Sequence, residues 1–202
     1  MNFPKTAGQC KYMLALRSSK PIIIGTGPAG TGKTMLACNI ATEHILKHPR
    51  ARVVLTRPIV AADEDMGYLP GDMDQKMEPW TRPMYDIFEQ SMTHNQMDRC
   101  ISIEPLGYMR GRTFNHTLII ADEMQNSTPN QMKLLLTRLG EGTKIIVTGD
   151  LEQSDLEGNN GLENLVYKMQ CMELDYIQHV EMGDDDIVRH PAVKEVLGIL
   201  TK

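Results

Sequence analysis

The chain has 202 residues, 41% of them hydrophobic and 23% charged, with a formal net charge of −5. That length suits one domain, at roughly 100–200 residues per domain, and the composition is that of an ordinary globular protein. The acidic balance excludes a general attraction to nucleic acid or to an anionic membrane surface, so any nucleic-acid contact needs a local basic patch.

Four cysteines, Cys10, Cys38, Cys100 and Cys171, are scattered with no C-x-x-C pair. They read as buried thiols in a reducing compartment rather than a metal site. No apolar run approaches the roughly 18 residues of a membrane span, and the N-terminus has no apolar leader, so a cytoplasmic location is the expectation.

Short β-branched runs alternate with helical stretches along the chain. Pro21–Thr26 is predicted as a strand, then a glycine-rich turn, then a helix over Lys33–Lys47. Further strands are predicted at Arg52–Thr56, Cys100–Ile103, Thr117–Ala121, Lys144–Thr148 and Tyr176–Val180. Helical spacing covers Lys76–Gln90, Pro129–Leu139, Leu162–Met169 and Asp186–Leu200. This alternation predicts a single α/β domain over 1–202, with a mainly parallel sheet covered by helices on both faces. Pro58–Gln75 stands apart, with two prolines, two glycines and five acids. A loop of this length is functional or a plain surface excursion.

Gly27-Pro28-Ala29-Gly30-Thr31-Gly32-Lys33-Thr34 matches G-x-x-x-x-G-K-[ST] in full. The glycines let backbone N–H groups turn onto phosphate oxygens, and the following helix presents its positive end to the same anion. Lys33 can reach the β- and γ-phosphates of ATP, and the Thr34 hydroxyl can ligate Mg²⁺. The apolar strand Leu118–Ala121 ends in Asp122 and Glu123. At the carboxyl edge of a parallel sheet, Asp122 can hold the Mg²⁺ shell and Glu123 can act as general base. The strand Ile145–Thr148 delivers Asp150 and Gln153 to the same edge, and Gln153 can bond the γ-phosphate or its attacking water. Alone, the acid pair and the Gln153 segment would each read as an ordinary turn. No N-K-x-D sequence marks guanine, no L-S-G-G-Q marks a transporter-type ATPase, and an acid beside Asp122 favours water as acceptor.

Eight ordered segments give the chain a resemblance to the PhoH-like family. They are Gly27–Thr34, Leu55–Pro58, Gly67–Gly71, Met109–Thr113, Asp122–Asn126, Leu136–Gly140, Thr148–Asp150 with Gln153, and Asp186–His190. The resemblance implies a RecA-like P-loop fold related to superfamily 1 helicases, ATPase activity, a phosphate-starvation association and a role in RNA metabolism. It also implies that Gln9 reads adenine, since its amide can both donate and accept. Asp63 stands where that family has glycine, and Met124 where it has a small residue.

Arg57, Lys76, Trp80, Arg82, Arg110 and Arg112 are candidates for binding RNA or single-stranded DNA, cations with an aromatic between them. The alternatives are an interaction switch with no nucleic-acid substrate, or a phosphotransferase acting on a small molecule. A single RecA-like domain lacks the second domain that supplies an arginine to the γ-phosphate. Arg189, with Arg138 as runner-up, is therefore expected to act in trans, within a homo-oligomer that the resemblance suggests is a hexameric ring.

Overall fold

Six strands form one sheet, the interior ones apolar and the edge strand Ile177–Glu181 mostly polar. The computed structural model describes residues 4–48, 50–58, 73–156 and 160–189, with positions 192, 193, 196 and 199; for residues 73–80 it describes the backbone alone. The strands are β1 (Ile22–Thr26), β2 (Arg52–Thr56), β3 (Ile101–Ile103), β4 (Thr117–Ala121), β5 (Lys144–Gly149) and β6 (Ile177–Glu181). They run in the order β3-β2-β4-β5-β1-β6, and every pairing is parallel. The expected strands hold to within a residue at each end.

The central strands β1 and β4 are buried along their whole length. That is why their sequences are unbroken apolar runs instead of alternating ones. The helices α1 (Ala7–Arg17), α2 (Lys33–Lys47), α3 (Met73–Phe88) and α4 (His94–Cys100) share one core with one sheet face. The helices α5 (Pro129–Leu136) and α6 (Gly161–Met169) build a second core on the other face, with a 3-10 turn at Leu106–Met109. Each strand therefore ends at one carboxyl edge, and β5 lies between β1 and β4. Three loops meet there.

Sequence and structure differ in several places. Helices α1 and α4 are additions. Helix α5 stops at Leu136 and not Leu139, because the backbone beyond it is the pairing partner of another segment: the Phe114 N–H donates to the Arg138 carbonyl at 3.0 Å and the His116 N–H to that of Glu141 at 2.7 Å. The helix expected over Asp186–Leu200 does not start where it should. Asp184–Asp186 is a 3-10 turn closed by the Ile187 N–H on the Asp184 carbonyl, and the next amide, that of Val188, bonds the Gly30 carbonyl and does not continue a helix. Cys10 and Cys171 are exposed, and of the four thiols only Cys38 is fully buried. The segments around Asp63 and Gly67–Gly71, together with His190, lie outside the described residues. Among those described, no helix is long and apolar enough to cross a membrane.

Candidate functional site

The loop between β1 and α2 owes its shape to two glycines above all. Gly30 and Gly32 have φ of 91° and 85°, a region where a Cβ costs roughly 1–2 kcal/mol. Gly32 is the N-cap of α2, and it offers no side chain to cap that helix. The first amides of α2 are thereby left for an anionic ligand, the reason this loop type binds phosphate.

Lys33 opens α2 and is 9% exposed. Its ammonium donates to the carbonyls of Gly27 at 2.5 Å and Pro28 at 2.9 Å, and more weakly to the Thr31 hydroxyl. Burial pushes the Lys33 ammonium below the usual lysine range, while the carboxylates of Asp150, Glu123 and Asp122 oppose that shift. Three acids from two strand ends thus face one lysine.

Asp122 follows β4 and is buried. Its Oδ1 accepts from the Thr34 hydroxyl at 2.7 Å and from the Thr148 hydroxyl at 2.5 Å. The strand order explains the convergence, since β5 brings Thr148 between the P-loop and Asp122. A carboxylate and hydroxyl oxygens at one point suit a hard cation such as Mg²⁺, which takes one or two carboxylates and completes its shell with phosphates and water.

Glu123 has a left-handed backbone, φ 53° and ψ 38°. For a residue other than glycine this is uncommon, and such conformations cluster at functional sites. Its Oε2 accepts from the Gln125 amide at 2.5 Å, and the Gln125 Oε1 in turn accepts the Asp150 N–H at 3.1 Å. Gln125 is 3% exposed, so the glutamine that touches the acid is Gln125. Gln153, expected to bond the γ-phosphate or its attacking water, is exposed in the turn after β5, where its N–H donates to the Asp150 carbonyl. The segment Asp122–Asn126 held the clue, an amide two residues beyond an acid.

A cavity of about 350 Å³ opens beside the loop. Gly30, Gly32, Lys33, Thr34 and Asp122 line it, with Ala29, Gln9, Met35, Arg57, Pro83, Ile87 and Val188. Gln9 is thus at the cavity, though its amide already bonds within the chain: Nε2 donates to the Thr31 carbonyl at 3.0 Å and Oε1 accepts the Lys5 N–H at 2.8 Å.

Arg189, expected to act on a neighbouring subunit's nucleotide, lies beside Gly30 of its own chain. A Cβ on Gly30 would lie 2.4 Å from the Arg189 Nε, so the side chain packs on the P-loop of its own chain. The Val188 N–H donates to the Gly30 carbonyl at 3.0 Å and fastens the segment there. Asp186 secures the other end, accepting the N–H of Gly8 at 2.9 Å and of Gly183 at 3.0 Å. Burial pushes the Asp186 carboxyl up, but bonds from Thr6, Gly183 and Gly8 and the charge of Lys11 outweigh it and hold it below the usual range. Arg138 is likewise committed, donating to the carbonyls of Leu134 at 3.0 Å and Arg112 at 2.8 Å.

Among the described residues, two of the cations considered for nucleic acid are paired with acids of their own chain. Arg82 bonds Asp86 at 2.8 Å and Glu89 at 3.1 Å. Arg112 bonds Glu104 at 2.6 Å and covers the Phe114 ring at 4.6 Å. Arg110 is exposed, and Arg57 lines the cavity beside the P-loop. The side chains of Lys76 and Trp80 lie outside the described residues.

A family model described as PhoH-like protein matches residues 3–201. A PhoH-like protein of Bacillus subtilis is 43% identical over 199 residues, which is 96% of this chain and 62% of that one. One of Mycobacterium tuberculosis is 42% identical, and Protein PhoH of Escherichia coli K12 is 38% identical; each is matched over 56% of its own length. The chain therefore spans a little over half of these relatives. Among solved structures, the large terminase of a thermophilic bacteriophage overlays with a TM-score of 0.60 at 14% identity, covering 99% of this chain and 51% of the terminase. A Pif1 helicase from Candida albicans gives 0.51 at 17% identity, covering 100% and 44%. At such low identity these likenesses show the P-loop NTPase fold and nothing finer.

Proposed function

The chain belongs to the PhoH-like family, and from that premise we propose that it hydrolyses Mg·ATP and couples the hydrolysis to RNA or single-stranded DNA. The observation that carries the ATPase reading is the meeting of Thr34, Asp122 and Thr148 oxygens beside Lys33, at the mouth of a cavity bounded by the P-loop. Thr34 and Asp122 would hold Mg²⁺, which when bound neutralises charge on the phosphate oxygens.

In the proposed reaction Gly27–Thr34 cradles the phosphates and Lys33 leaves its loop carbonyls for phosphate oxygens. A water oxygen bonds to the γ-phosphorus while the bond from that phosphorus to the β,γ-bridging oxygen breaks. ADP leaves with the bonding pair, and the Glu123 carboxylate accepts the water's proton. Gln125 orients Glu123 for that transfer. Gln9 closes the adenine end of the cavity, and Gln153 reports on the γ-phosphate.

The nucleic-acid partner is supported by the family's helicase-like fold and by exposed Arg110. A second reading, a nucleotide-dependent interaction switch, is favoured by the pairing of Arg82 and Arg112 with carboxylates of their own chain. A ring of subunits belongs with the first reading, although Arg189 need not cross between subunits to reach a P-loop. A steady-state ATPase assay with and without single-stranded poly(U) separates the two. Stimulation supports the coupled ATPase; hydrolysis unaffected by poly(U), with no binding at low salt, leaves the switch. Binding, where found, weakens steeply with salt through counterion release.

A further inference from the structure

Arg57 begins where β2 ends. The Thr56 carbonyl accepts the Asp122 N–H at 3.0 Å, and Thr56 pairs with Ala121 in the parallel register. Arg57 therefore leaves the sheet one strand away from Asp122, at the same edge. It is half-buried, and it lines the cavity together with Lys33, Thr34, Gly30 and Asp122.

Charge makes that position matter. The ammonium of Lys33 feels the carboxylates of Asp150, Glu123 and Asp122, so its neighbourhood is net negative before any nucleotide arrives. A triphosphate adds further negative charge. A second cation on the wall offsets this, and in a partly desolvated cavity its attraction to phosphate is stronger than in water. Arginine also suits phosphate by geometry, since its planar fork can donate two parallel bonds. Of the arginines first weighed for this duty, Arg138 donates to the carbonyls of Leu134 and Arg112, and Arg189 packs on Gly30 of the same loop.

We propose that Arg57 is a catalytic phosphate cation acting within its own chain. It binds the γ-phosphate oxygens of ATP and stabilises the charge that develops on them as the bond to the bridging oxygen breaks. On this assignment Arg57 leaves the set of nucleic-acid contacts, and the site needs no arginine from a neighbouring subunit. The assignment rests on the ATP site proposed above.

The test uses the full chain with three variants, Arg57→Ala, Arg57→Lys and Lys33→Ala. Nucleic-acid-free ATPase activity gives kcat and KM, filter binding to a poly(U) oligonucleotide gives RNA affinity, and thermal melting checks folding. The expected result for Arg57→Ala is a kcat loss of roughly 10²–10³-fold, the scale of deleting one donor to transition-state charge. Arg57→Lys recovers part of it. Poly(U) affinity, where the parent has any, is retained. If Arg57→Ala melts early, Arg57→Lys alone decides, because it keeps charge and stem while losing the fork. Unchanged kcat and KM in the folded variants overturns the assignment, whatever happens to poly(U). If Lys33→Ala also hydrolyses ATP at the parent rate, the ATP site itself is wrong; if only the Arg57 variants do, the fault is confined to Arg57.

Discussion

Replacing Gln125 with leucine removes two bonds at once. Its Nε2 holds the Glu123 carboxylate and its Oε1 takes the buried Asp150 N–H. Leucine fills much the same space over Gly149, against which the Gln125 Oε1 is packed. The Asp150 N–H is left without its acceptor, at a cost of about 1–3 kcal/mol. Glu123 is half-exposed and regains a water, so its lost bond adds little to folding. A loss of about 2 kcal/mol lowers Tm by about 4–8 °C at this chain length. The kinetic effect is larger. Glu123 keeps its charge but loses its orientation, and a misplacement of about 1 Å can cost on the order of 10²-fold in rate. The expected outcome is a modest fall in Tm, an unchanged KM for ATP and a kcat reduced about 10²-fold. Gln125→Glu, which repels Glu123 at the same position, falls at least as far. Parental kcat in a folded Gln125→Leu protein refutes the idea that Gln125 orients the base.

Gly30→Ala forces a Cβ into a left-handed residue and against Arg189; a cost of roughly 1–2 kcal/mol on the loop lowers ATP affinity several-fold, as read by titration with a fluorescent ATP analogue. Among the described residues the buried Tyr12 hydroxyl has no hydrogen-bond partner, so Tyr12→Phe leaves stability equal or raises it by up to about 1 kcal/mol in urea denaturation, and a marked loss contradicts this. His44 and His179 are both held below the ordinary histidine value by burial, with His48 adding to the first and Glu181 opposing the second. The unfolded chain therefore takes up protons first, and stability falls as pH drops from about 6.5 towards the lower folded values; His44→Gln and His179→Gln together flatten that slope in Tm measured between neutral and mildly acidic pH.

The strands were legible because buried parallel strands leave an unmixed apolar signature, and β1, β4 and β5 all run into glycine or acid. The P-loop, Asp122 and Glu123 were legible because their chemistry needs fixed residue types at fixed spacing. Helix α1 was not. Its first turn contains Gly8, a poor helix former, and the reason for the glycine is distant: a Cβ there would lie 2.1 Å from the Asp186 Oδ2. The 3-10 turn at Asp184–Asp186 and the bond from the Val188 N–H to the Gly30 carbonyl keep Asp186–Arg189 out of the helix its sequence suggests. Gln125 was missed, because its bonds to Glu123 and to the Asp150 N–H become visible only once β4 and β5 lie side by side. In sequence Arg57 reads as a nucleic-acid contact, and its place beside the P-loop appears only with the sheet order, which puts β2 next to β4.

The central claim is that Glu123 activates water for a nucleotide held by the P-loop, and Glu123→Gln tests it most directly. The variant keeps the shape of the acid and loses its proton acceptor. In a single-turnover assay with radiolabelled ATP, paired with equilibrium binding, it should bind ATP with parental affinity and release phosphate roughly 10²–10⁴-fold more slowly. Phosphate release at the parental rate, or loss of ATP binding equal to that of Lys33→Ala, contradicts the account.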